Sequence, residues 1–137
     1  MNSIFVLDAC AMLAVARNEV GANVVVEAYK KANYGHAVLL MNRINLLEVY
    51  YDFYRYKGKE YANDFVRKVK HSIIHISEFN DTIFEEAGRL KATYRVSLAD
   101  SIALAQALTS GGYLLTADHH EFDVIEGNEN VHFLWTR

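Results

Sequence analysis

The chain has 137 residues, 52% hydrophobic and 23% charged, with a formal net charge of -3 and a single cysteine. These values suit one domain over residues 1–137 with a real core and exclude a disulfide framework. They also exclude a globally basic nucleic-acid binder, so a nucleic acid would have to meet a local patch.

The first element is Ile4-Phe5-Val6-Leu7, an apolar run without alternation. Such a run predicts a buried parallel strand covered on both faces. Asp8 ends it and interrupts the apolar start too early for a signal peptide. With no uncharged run near the ~18 residues of a membrane span, a cytoplasmic protein with no membrane association is expected. A helix follows from Ala9. Asp8 is either its N-cap or an acid at the carboxyl end of a strand, where open α/β sheets place ligands. Cys10 reads as a small buried thiol, since no activating base lies nearby in sequence.

Val20 to Asn33 predicts a second helix, stopped by Tyr34-Gly35. His36 to Met41 is the second strand, and Asn42 can cap a helix from Arg43 to Tyr56. Asn45, Glu48, Asp52 and Arg55 share one face of that helix. They form either a solvated stripe in which Arg55 pairs with Asp52, or a stripe that brings Glu48 to the sheet's carboxyl edge. Arg55, Lys57 and Lys59 interleave with Tyr54 and Tyr56, and Arg67, Lys68, Lys70 and His71 follow on the next helix. That patch could hold phosphates and stack bases, or be a solvated hairpin tip. Tyr50, Tyr51, Phe53 and Tyr54 could equally form a subunit contact.

Ile73 to Ile76 is a third predicted strand, and Asn80 or Asp81 caps a helix running to Thr93. The Ser97 helix, Leu98 to Ser110, ends at Gly111-Gly112 and is followed by the strand Tyr113 to Thr116 and then by Asp118. Ser97 and Asp100 approximate a capping box. Asp100 also shares a helix face with Ala103, Leu104, Ala107 and Leu108, whereas Ser101, Gln106, Thr109 and Ser110 lie elsewhere around the helix. Asp100 should therefore point inward, which is costly for a carboxylate unless it is paired, hydrogen-bonded or metal-bound. Val131 to Leu134 is the last strand. The alternation of strands and helices predicts an α/β fold, a parallel sheet with helices on both faces.

If Asp8, Glu48, Asp100 and Asp118 converge at the carboxyl edge, they cannot all stay ionised without cations. No cysteine or histidine pair has structural-zinc spacing, and carboxylate ligands select Mg²⁺ or Mn²⁺. Such ions activate water and neutralise a phosphodiester transition state. The chemistry expected is metal-assisted phosphodiester hydrolysis. A receiver-type phosphoacceptor would want a second acid beside Asp8 and a lysine past a late strand. A phosphatase of the Asp-x-Asp type would want Asp where Cys10 stands. None of these is present.

Val6-Leu7-Asp8, Leu46-Leu47-Glu48-Val49, Ser97-Leu98-Ala99-Asp100-Ser101 and Leu115-Thr116-Ala117-Asp118 resemble, in order and context, the segments of PIN domains. The short layout is similar to that of the VapC-like ribonuclease toxins of prokaryotic toxin–antitoxin pairs. The resemblance covers nearly the whole chain. It implies a three-layer α/β/α PIN-like fold with a central parallel sheet of four to five strands, and RNA cleavage with Mg²⁺ or Mn²⁺. It also implies homodimers and inhibition by a small antitoxin. Carried over, Asp8, Asp100 and Asp118 would be metal ligands and Glu48 a further catalytic acid. Asn45, Ser97 and Thr116 would support the site, with Asp123 an extra acid. The family usually has Ser or Thr where this chain has Cys10, and a thiol is the weaker donor. A non-catalytic RNA- or protein-binding member of the fold is the competing reading.

Overall fold

The computed structural model describes residues 2–137. The strands β1 (Ser3–Leu7), β2 (Ala37–Asn42), β3 (His75–Ser77), β4 (Tyr113–Thr116) and β5 (His132–Trp135) form one sheet. Its spatial order is β3-β2-β1-β4-β5, and every pairing is parallel. The helices are α1 (Ala9–Ala16), α2 (Ala22–Asn33), α3 (Arg43–Lys57), α4 (Lys59–Lys70), α5 (Asp81–Thr93), α6 (Leu98–Ser110) and the short α7 (His119–Phe122).

Parallel strands need covered crossovers, so both faces of the sheet are packed. Alternate residues of β1 serve the two faces. Phe5 and Leu7 join Leu39 and Met41 beneath α1 to α4, with Val25, Ala28, Val49, Phe53 and Ala62. Val6 and Leu114 join Ile83, Leu90, Ile102 and Leu104 beneath α5 and α6. This is the three-layer α/β/α arrangement, with five strands.

The chain winds outward from β1 to β3, then returns to place β4 on the other side of β1. The order therefore reverses between β1 and β4. A crevice opens at the carboxyl ends of strands at such a reversal. Leu7 is in register with Leu115, so Asp8 and Asp118 leave adjacent strands at the same edge.

Several boundaries differ from the pattern. α2 begins at Ala22 because Gly21 adopts a positive φ of 95°, and Val20 stays exposed in the turn before it. β3 begins two residues later than its isoleucines suggest. Ser72 accepts from the Ile74 amide at 3.2 Å and donates to the Val69 carbonyl at 2.6 Å. That turn consumes Ile73 and Ile74 before the strand starts. β5 runs one residue further, to Trp135. Ser101 and Gln106, away from the apolar face, are buried as well, because α6 is enclosed on more than one side. Ser101 donates to the Leu98 carbonyl at 2.6 Å, and Gln106 accepts from Asn42 Nδ2 at 3.1 Å. Phe53 is a core residue against Tyr61 and Phe65, not a subunit contact.

Candidate active site

Asp8 is both of the things its position allows. It caps α1, its Oδ1 accepting from the Ala11 amide at 2.8 Å. Its other oxygen, Oδ2, is buried and has no hydrogen-bond partner among the described residues. Burial pushes its pKa up to about 7. The nearby Thr116 hydroxyl and the Ala11 amide oppose that rise, and the charges of Asp118 and Glu48 add to it. A carboxylate oxygen left bare in the interior is costly unless something cationic meets it.

Ser97 caps α6, its hydroxyl accepting from the Asp100 amide at 3.2 Å. The cap uses only the backbone of Asp100 and leaves its side chain free for the crevice. Asp100 is half-buried, and its pKa is pushed up to about 8, first by burial and then by the adjoining Asp118 carboxylate. Buried Thr116, at the end of β4, orients the fourth acid. Its hydroxyl accepts from the Asp118 amide at 3.0 Å. Asp118 in turn caps α7 by accepting from the Glu121 amide at 3.2 Å.

That last turn brings in a residue the sequence reading missed. Ligand oxygens of Asp100, Asp118 and Glu121 lie within 4.8 Å of one another. The signal was available, since an acid three residues past a capping acid is placed back over the cap. Asp123 is exposed and turns away from this group. It accepts from His119 Nδ1 at 2.8 Å, while His119 Nε2 donates to the Arg137 carbonyl at 2.9 Å. Two acceptors at the two ring nitrogens favour the imidazolium, and the His119 pKa is raised accordingly.

Glu48 is half-buried on α3, its pKa raised by burial and Asp118 but eased by Asn45. Asn45 is buried and donates to the Ala99 carbonyl at 3.0 Å, tying α3 to the start of α6. Asp52 pairs with Arg17, the C-cap of α1, rather than with Arg55, which instead lies over the Tyr51 ring at 5.7 Å.

The predicted basic residues lie elsewhere. Arg55, Lys57 and Lys59 are exposed at the α3–α4 tip, and Lys57 is about 13 Å past Glu48 at ~1.5 Å of rise per residue. Arg67 and Lys68 on α4 are both paired with Asp64. Arg17 and Arg137, with Cys10, Glu19 and Ala117, line a cavity of about 120 Å³. Cys10 is exposed rather than the buried thiol expected, and desolvation of its sulfur with the surrounding acids pushes its thiol up to about 12, which disfavours the nucleophilic thiolate.

The donor set is thus entirely carboxylate, with one buried oxygen lacking a partner. Oxygen-only ligands suit a hard divalent cation such as Mg²⁺ or Mn²⁺.

The PIN domain family model matches residues 5–128. Among solved structures, the fold is similar to a chain of VapBC2 from Rickettsia felis, solved bound to a DNA fragment from its promoter. Identity is 17%, the TM-score 0.76, and 96% of this chain and 98% of that one are covered. DNA-bound VapBC from Salmonella typhimurium matches at 15% identity and a TM-score of 0.75, over 100% of both chains. VapC20 from Mycobacterium tuberculosis, a toxin that cleaves the sarcin-ricin loop, matches at 16% identity and a TM-score of 0.58. There 82% of this chain and 87% of that one are covered. No curated protein matches. The family model spans both the first-strand acid and the late acidic turn, and on that match this chain belongs to the PIN domain family.

Proposed function

We propose that the protein is a metal-dependent endoribonuclease, a single catalytic domain over residues 1–137 acting in the cytoplasm as the toxin of a toxin–antitoxin pair. The observation that carries this reading is the gathering of Asp8, Glu48, Asp100, Asp118 and Glu121 where the strand order of a PIN fold reverses.

Asp8, Asp100 and Asp118 would hold the Mg²⁺ or Mn²⁺, with Glu121 beside them. When bound, such an ion lowers the pKa of water and neutralises charge on the phosphate. Glu48, whose carboxyl feels the charge of Asp118, would take a proton from the attacking water. Thr116 and Ser97 hold the backbones of Asp118 and Asp100 in place, and Asn45 fixes α3 against α6. Arg17 and Arg137 are the cations positioned to meet the RNA backbone near the cut, with Arg55, Lys57 and Lys59 meeting it farther along. Exposed Leu47, Tyr51 and Tyr54 suit a homodimer contact. The VapBC neighbours support a small antitoxin that covers the acidic crevice.

The test is cleavage of a mixed RNA pool by purified protein, with Mn²⁺ or Mg²⁺ and with chelator. Metal-dependent cleavage, lost with chelator, is expected. Folded protein that cuts no RNA class with either ion would instead favour a binding module.

A further inference from the structure

His119, Trp135 and Phe133 form a column of parallel rings at the turn that follows Asp118. The His119 and Trp135 centroids are 3.8 Å apart with planes 16° from parallel. Trp135 and Phe133 follow at 4.9 Å and 14°. Trp135 is held at its edge by its indole N–H, which donates to Glu126 at 3.2 Å. The His119 ring is held at two of its corners, by Asp123 and by the Arg137 carbonyl.

These contacts remove the usual uses of a histidine. Both nitrogens are occupied, so the ring can neither ligate a metal nor move a proton without breaking a bond. One face is covered by the indole. Yet 46% of the side chain is still exposed, and with one face and both nitrogens taken, that exposure belongs largely to the opposite face. What His119 offers is a flat, pre-oriented aromatic surface that has lost its rotamer freedom. A pre-ordered surface binds with less entropy loss than a mobile one. Asp118 precedes it directly in the chain, and Glu121 lies on the same helical turn.

We infer that the open face of His119, backed by Trp135 and Phe133, is a nucleobase seat that stacks one unpaired base of an RNA strand at the α7 turn that follows Asp118. This rests on the ribonuclease reading for the identity of its occupant. Single-stranded RNA is recognised by splaying out bases and stacking them on aromatic rings, and every base has a π face to offer. The column gives the strand a fixed point at the α7 turn that charge alone, in a protein of net charge -3, does not provide.

The experiment is an abasic scan. Fluorescently labelled single-stranded RNAs, each with one base removed at a successive position, are titrated against full-length Asp100→Asn protein in Mg²⁺, with anisotropy as the readout. One position is expected to be sensitive, losing roughly 5- to 150-fold in affinity, the range for one base–aromatic stack. His119→Ala should weaken intact RNA by a similar factor and abolish the sensitivity at that position. His119→Phe, which restores the plane without the hydrogen bonds, should recover it. An even abasic profile overturns the seat, as does sensitivity that survives His119→Ala. If His119→Ala is not folded by circular dichroism, the profile of the protein with its native ring decides alone. Failure to bind any RNA also overturns the seat. Cleavage by wild-type protein, assayed separately, judges the nuclease. Position-specific binding without cleavage would leave the seat standing and refute the nuclease, and cleavage with an even profile would do the reverse.

Discussion

Asp100 and Asp118 face each other across the crevice with carboxylate oxygens within 4.8 Å, and Asp118 is the neighbour that, after burial, most raises the pKa of Asp100. A carboxyl that is easier to protonate in the folded chain than in the unfolded one favours folding below the ordinary carboxylate range. That contribution fades as pH rises through the folded-state value. For Asp8 the folded value is about 7 and for Asp100 about 8, and Glu48 moves the same way. In chelator, the melting temperature should therefore fall between about pH 4 and pH 8, the interval between ordinary and raised carboxyl values. Asp100→Asn should flatten the fall. A melting curve indifferent to pH over this range would contradict the site's electrostatics.

Divalent cations should reverse that loss. A ligand at a hundredfold excess over its Kd stabilises the fold by about 2.7 kcal/mol, a rise of several degrees in melting temperature. The rise should be larger at pH 8 than at pH 6, where protons compete for the same oxygens. Glu121→Gln should weaken Mn²⁺ binding by about tenfold, the size of one lost charged contact, as read by Mn²⁺ paramagnetic resonance. Unchanged affinity would remove Glu121 from the ligand group.

Asn42 and Gln106 form a buried bond at 3.1 Å between the β2–α3 junction and α6. The Asn42 amide also donates to the Glu78 carbonyl at 3.3 Å. Gln106→Leu leaves one amide hydrogen without a partner and should cost about 1–3 kcal/mol in urea unfolding. Mn²⁺ affinity should stay unchanged, because Gln106 is not among the acids.

Gly112 marks the entry of β4 beside β1. An added Cβ would lie 2.8 Å from Ile4 Cγ2 and 2.9 Å from the Ile4 carbonyl oxygen. Gly112→Ala should destabilise by about 1–3 kcal/mol through overpacking. Because β1 and β4 carry Asp8 and Asp118, it should also weaken Mn²⁺ binding. Loss of stability with full metal affinity would mean that the strands separate without moving their acids.

Local signals were sufficient for most of the fold. Asp8, Asn42, Asn80, Ser97 and Asp118 each cap a helix, and the apolar runs became strands. What went astray depended on contacts beyond the local pattern. Ile73 and Ile74 have strand character, but a serine turn claims them. Gln106 looks solvent-facing until Asn42 arrives from a distant element. Asp123 and Glu121 are both carboxylates, and only the turn of α7 assigns one to His119 and the other to the group with Asp100 and Asp118. The stack of His119 on Trp135 joins residues of separate elements, and neither position is distinctive alone.

The register of Leu7 beside Leu115 places the first acid next to one that a ribosome makes near the end of the domain. Loop closure on that scale must wait for β4 to emerge. A nascent chain that stalls earlier carries Asp8 and Glu48 but no crevice. The acidic crevice is thus absent from every incomplete copy and forms only in a chain that has been synthesised through its late acidic turn.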